Sequence, residues 1–222
     1  MSQKLLLPTC WYRQYVFMHL SDLTIINPVV SYYAYLKYYF LTMAIATGIE
    51  GLVGHGFLYA LEKTIDISLE VSPWELPAWL ISMFSIMLIE RVTIEYVRPI
   101  IHPKIGSFYS WLNIVESITF VIITFATLNF FFVQDHAAYG LLVVVISFSL
   151  FVYMKQKTRE SRIFLIVVAF TALSALVFMN KWGIGIWFTH SDINHVLMAI
   201  CAWVFYKGGK QILADPVLVH KL

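Results

Sequence analysis

The sequence predicts an all-α protein, a polytopic membrane bundle of seven transmembrane helices with the N-terminus outside and the C-terminus cytoplasmic. Three observations carry that prediction. The 222 residues are 60% hydrophobic and only 13% charged, where a soluble domain is nearer a quarter charged. Seven apolar runs recur along the chain. Lys and Arg fall mostly on alternate connections between those runs.

The runs lie near 21–36, 38–61, 73–90, 109–133, 137–154, 162–180 and 186–206. A helix crossing about 30 Å of hydrocarbon needs about 20 apolar residues, and six of the runs approach or exceed that length. The first is shorter and contains Asp22, Asn27 and Pro28; it counts as a span if those residues face the bundle interior. Lys37 is expected to mark the turn into the second span. Residues 1–19 lack the apolar stretch of a cleaved signal, because Pro8, Arg13 and Gln14 interrupt it. Trp11, Tyr12, Tyr15 and Phe17 suit an interfacial segment, since amphipathic rings favour the headgroup layer. The chain is expected to form one domain over 1–222, with 207–222 as a cytoplasmic tail.

Cytoplasmic connections carry an excess of Lys and Arg. One set of connections holds Lys37, Arg91, Arg98, Lys104, Lys155, Lys157, Arg159, Arg162, Lys207, Lys210 and Lys221, while the other holds Lys4, Arg13, Lys63 and Lys181. Eleven against four puts the first set inside, which agrees with an odd number of spans. The net charge of +2 and the absence of a basic array interleaved with aromatics argue against a nucleic-acid partner. The partners expected are the lipid bilayer, a lipid substrate and, alternatively, the other subunits of a membrane complex. Cys10 and Cys201 form neither a zinc-type pair nor an expected disulfide.

The polar residues then fall at one level. Asp22, His55, Asp66, His190, Asp192 and His195 all belong toward the outer end of their segments. Imidazoles and carboxylates are rare in hydrocarbon and face the bundle interior or a cavity, so convergence at one depth suggests a metal site. Asp192 and His195, three apart, share a helix face. His190 joins them only if the chain turns near Thr189 or Ser191. Gly54 and Gly56 flank His55 and would permit close helix approach. Glu116 lies well inside the fourth span beside Asn113 and Ser117, where a carboxylate is neutral or paired. Glu90, Arg91, Glu95 and Arg98 suggest a solvated helix end laced by i,i+3 and i,i+4 pairs.

This pattern resembles the seven-helix hydrolase superfamily of alkaline ceramidases and progestin and adipoQ receptors. The stretch from His55 to Asp66 has the ceramidase His-to-Asp spacing, and His195 matches the last histidine of that group. The sequence departs from the group at Gly51 and Ser191, where those proteins have Ser and His. A His-x-Asp-x-x-His block in the last span, His190 to His195, is similar to that of uncharacterised relatives. The resemblance implies a membrane-embedded zinc-dependent hydrolase of a lipid amide or ester. His55, His195 and either His190 or Asp192 would hold Zn, Asp66 would be the general base, and Asp22 would orient a ligand. The metal would lower the pKa of its water toward about 7 and polarise the scissile carbonyl. The Gly51 and Ser191 departures favour an alternative, a non-catalytic membrane subunit or receptor-like bundle with a structural metal or hydrogen-bond cluster. A third reading is a b-type haem protein with His55 and His195 as axial ligands.

Overall fold

The structure, a computed structural model, describes residues 28–52, 75–185, 188 and 190–214. Among these the chain is all-helical. An isolated bridge between Gly185 and Phe188 is the extended pairing present. The helices are α1 (Pro28–Glu50), α2 (Leu76–Val97), α3 (Pro103–Thr127), α4 (Phe131–Gln156), α5 (Arg159–Met179) and α6 (His190–Ala214). Three of them, α3, α4 and α5, are long and apolar enough to cross a membrane.

Local chemistry sets the boundaries. α3 begins with Pro103, whose missing N–H costs nothing in a first turn, and His102 Nδ1 accepts from Lys104 N at 3.3 Å. It ends at Leu128, which is left-handed at φ 50°. Asn129 then accepts from Phe131 N at 2.9 Å through its side chain, as short polar residues do at helix entries. Lys157, also left-handed, closes α4, and Thr158 caps α5 by accepting from Ser161 N at 3.3 Å. Arg98-Pro99-Ile100 makes one 3-10 turn after α2, where the proline blocks helix continuation.

Two expectations are corrected here. Lys37 is not a turn: α1 runs unbroken through it, so the two expected first spans share one helix. Lys is a good helix former, and no Gly or Pro flanks it. Tyr32, Leu36, Tyr39 and Ala46 are buried at helical spacing while Lys37 is exposed, so it occupies the outer face of a continuous helix. The second correction concerns the charged run of α2. Glu90 is 1% and Glu95 9% exposed, so this stretch is not a solvated end. The expected i,i+3 pairing does form at Glu95, which accepts from Arg98 through both carboxylate oxygens, and Arg98 also donates to Ser110 Oγ at 2.6 Å. That pairing raises Arg98 above the ordinary guanidinium value.

α2 is the central helix and packs on α1, α3 and α4. α5 packs on α4 and α6, and α6 returns to α1. The main core is aliphatic and aromatic: Leu36, Ile89, Val92, Val145, Val152, Phe164, Val167 and Phe205. Tyr39 and Phe205 meet edge to face at 6.0 Å, and Tyr96 and Phe164 at 5.9 Å, geometries that favour aromatic pairs. The outer face of α3 is apolar and exposed at Phe108, Trp111, Val115, Ile118, Ile122 and Phe125.

Candidate functional site

The polar centre of the molecule lies between α2, α3 and α4. Glu90 points in from α2, Glu116 from α3 and His136 from α4. Each offers a ligand atom within 4.8 Å of the others. His136 is fully buried and Glu90 nearly so, with Glu116 half-buried. His136 Nε2 stands 3.5 Å from Glu116 Oε2. That is close enough for electrostatic attraction but too long and poorly aligned for a hydrogen bond. Both nitrogens of His136, both oxygens of Glu116 and Oε1 of Glu90 lack hydrogen-bond partners among the described residues. Buried polar atoms are nearly always paired, so five orphan atoms in one place need an explanation.

The surroundings hold these side chains in position. Asn113, 3% exposed and one turn before Glu116 on α3, donates through Nδ2 to Glu90 Oε2 at 3.0 Å and to Met87 O at 3.2 Å. One carboxylate oxygen of Glu90 is thereby occupied and the other left free. Phe120 meets the His136 ring edge to face at 5.4 Å. On α4 the stretch Tyr139–Val145 is π-helical, a distortion that recurs at functional sites. Gly140 lies in it. A Cβ there would run into Glu90 Oε1 and come within 2.6 Å of Ile86 Cγ2, so only glycine lets Glu90 reach this place. A small pocket lined by Glu90, Tyr109, Leu112, Asn113 and Tyr139 adjoins the centre. Arg91, next in sequence to Glu90, turns away, donating to Ser110 O at 2.8 Å and lying over the Tyr35 ring.

The site expected from sequence lies only partly within the described residues. Asp22, His55 and Asp66 lie outside the described residues. His190 opens α6 and its ring packs on Phe178 at 5.5 Å. His195 is exposed on the same helix. Asp192 lies between them in α6, with its side chain outside the description. Because the helix already includes His190, the five-residue step to His195 turns it about 140° round the axis. The two imidazoles are therefore well apart round the helix. Asn194 ties α6 to α5 through a hydrogen bond with Ser174. Among the described residues a three-ligand grouping is found at Glu90, Glu116 and His136.

Of these three, Glu116 stands out in the sequence as an isolated carboxylate inside an apolar run. Glu90 was hidden in a charged run, and His136 in a stretch read as a connection. Asn129 carries the missing signal. Its side chain accepts from Phe131 N at the start of α4, which puts His136 in the second turn and Gly140 one turn further.

The fold and site define a class: an all-helical bundle with apolar, membrane-length helices around a buried carboxylate–imidazole centre. The chain belongs to a family of unknown function, DUF6962, whose model matches residues 14–214. No curated protein and no solved structure matches the chain.

Proposed function

We propose that this is an integral membrane protein built around an intramembrane cation-binding centre. One observation carries the reading: three acid–base side chains from three helices converge within 4.8 Å, buried and without a Lys or Arg among them. Burying unpaired ionisable groups is costly in water-excluded surroundings. A positive ion held between two carboxylates and an imidazole would offset that cost and occupy the orphan atoms. The exposed apolar face of α3 and the three membrane-length helices support placement in a bilayer.

The orientation follows from the connections. Arg98 and Lys104 lie between α2 and α3, Lys155, Lys157, Arg159 and Arg162 around the α4–α5 turn, and Lys207 and Lys210 at the end of α6. The α5–α6 connection carries only Lys181. The basic end is cytoplasmic by the positive-inside rule. Among the described residues, α1 to α6 then alternate across the bilayer with the α2–α3 and α4–α5 connections inside and the α5–α6 connection outside.

Metal-dependent hydrolysis of a lipid amide or ester is the second reading. The ligand set favours it, since a catalytic zinc takes three protein ligands and keeps a position for water. A non-catalytic subunit would need the same centre closed. The test is cation content and thermal unfolding of the purified protein. The expected result is one bound cation per chain and a higher Tm when it is present, because an ion bound only by the folded state stabilises it. His136→Gln and Glu116→Gln should lose both effects. Cation-free protein, with no ion shifting the Tm, would overturn the reading.

A further inference from the structure

We infer that the Glu90–Glu116–His136 centre takes a divalent transition metal of the manganese-to-zinc series and keeps a coordination position that a small exogenous ligand can reach. This rests on the cation-binding reading and adds the class of ion and the openness of the site.

The donor set selects the class. An imidazole beside two carboxylates suits manganese, iron, cobalt or zinc, whereas magnesium and calcium take oxygen ligands. No sulfur donor belongs to the group, which removes the soft ligands that copper(I) favours. The number of ligands argues for an open site. Asn113 occupies Glu90 Oε2 and leaves Oε1 free, so Glu90 is presented through one oxygen. Hydrogen bonds of this kind orient metal ligands and are nearly as consequential as the ligands. Three side chains then fall short of the four to six positions such metals fill.

The surroundings show where the remaining position faces. The pocket adjoins Glu90, Asn113, Tyr109 and Tyr139, and neither Glu116 nor His136 lines it. Its walls are almost wholly apolar, and Asn113 Oδ1 is buried there without a partner among the described residues. A ligand of one to three atoms, water or a small anion, would approach along Glu90. Gly140 keeps that side clear, since any side chain there would displace the Glu90 carboxylate.

Cobalt(II) reports both features through its visible bands. Purified protein in nanodiscs is titrated with Co²⁺, then with azide, and separately challenged with a thousandfold excess of Mg²⁺ or Ca²⁺. The expected result is one Co²⁺ per chain, bands that shift on azide, and no displacement by Mg²⁺ or Ca²⁺. His136→Gln should remove the bands, and Asn113→Ala should weaken Co²⁺ binding about 10–100-fold. Apo-protein melting curves show whether each variant is folded. Asn113→Ala supplies the decision if His136→Gln is not, and azide on the unmodified protein requires no variant. Bands indifferent to azide would overturn the open position, and so would bands unchanged in folded His136→Gln overturn the ligand assignment. Binding of Mg²⁺ or Ca²⁺ in preference to Co²⁺ would overturn the inferred ion class while leaving a cation site in place. Binding of none of these ions would remove the cation-binding reading itself.

Discussion

Two regions of this bundle bury polar groups, mostly paired in the first, Tyr32 Oη beside Tyr96 excepted, and mostly unpaired in the second. Where α2 and α5 meet the α4–α5 turn, Tyr96 hydroxyl pairs with Thr158 Oγ1 at 2.7 Å, and Thr158 in turn meets Ser161. Between α5 and α6, Ser174 bonds Asn194 and Thr171 bonds Cys201. The rest of that seam is filled by Phe164, Val167 and Phe205. Between α2, α3 and α4 the polar atoms are equally buried, yet Glu90 Oε1, both Glu116 oxygens and both His136 nitrogens lack partners among the described residues. Satisfied polar burial is structural, since each group is compensated within the protein. Unsatisfied burial at a convergent, mixed-charge centre is the basis of the cation-binding proposal.

Substitutions in the two seams should therefore separate stability from binding. The largest expected effect is in the apolar seam. Phe164→Ala empties a fully buried site and should destabilise by about 3–5 kcal/mol, while leaving cation stoichiometry in the folded fraction unchanged. Denaturant unfolding beside metal analysis reads both. Lost stoichiometry in that fraction would mean that the seams are coupled.

Next is Gly140→Ala, which overpacks the space held by Glu90 and Ile86. It should cost about 1–3 kcal/mol in the apo-protein and abolish cation binding as well. An unaffected affinity would show that the Glu90 position is not critical. Tyr96→Phe removes one satisfied hydrogen bond in the other seam. A loss of about 1 kcal/mol, with no change in cation affinity, is the expected result by the same two measurements. The smallest effect belongs to Lys37→Ala on the outer face of α1, within about 0.5 kcal/mol. A large loss there would restore the turn that the sequence suggested. The proposed orientation also predicts that a Cys placed at Lys157 labels from the inner side of sealed vesicles and one placed at Lys181 from the outer side; the reverse pattern would contradict it.

The helical class was legible because apolar runs of membrane length and sparse charge leave few alternatives. The first boundary was not, because a lone Lys in an apolar stretch reads as a turn when its burial face is unknown. In α1 the inward spacing of Tyr32, Leu36 and Tyr39 decides the matter, and that spacing becomes informative only once the packing partner is known. The site was legible at Glu116 alone. Glu90 sits beside Arg91 and so looked like half of a solvated pair, although the two side chains diverge into different environments. His136 depended on where α4 begins, which follows the left-handed Leu128 and the Asn129 turn. His190 and His195 drew attention through their density in sequence, but a helix that already contains both turns them apart.

The central claim is that the buried centre between α2, α3 and α4 holds a cation, and calorimetric titration tests it most directly. Mn²⁺ is titrated into the unmodified protein, into Glu116→Gln and His136→Gln, and into His190→Gln/His195→Gln. The account predicts one saturable site in the unmodified protein, lost in the first two variants and retained in the double variant. Binding that survives in Glu116→Gln and His136→Gln but disappears in His190→Gln/His195→Gln would contradict it and return the metal to the α6 histidines.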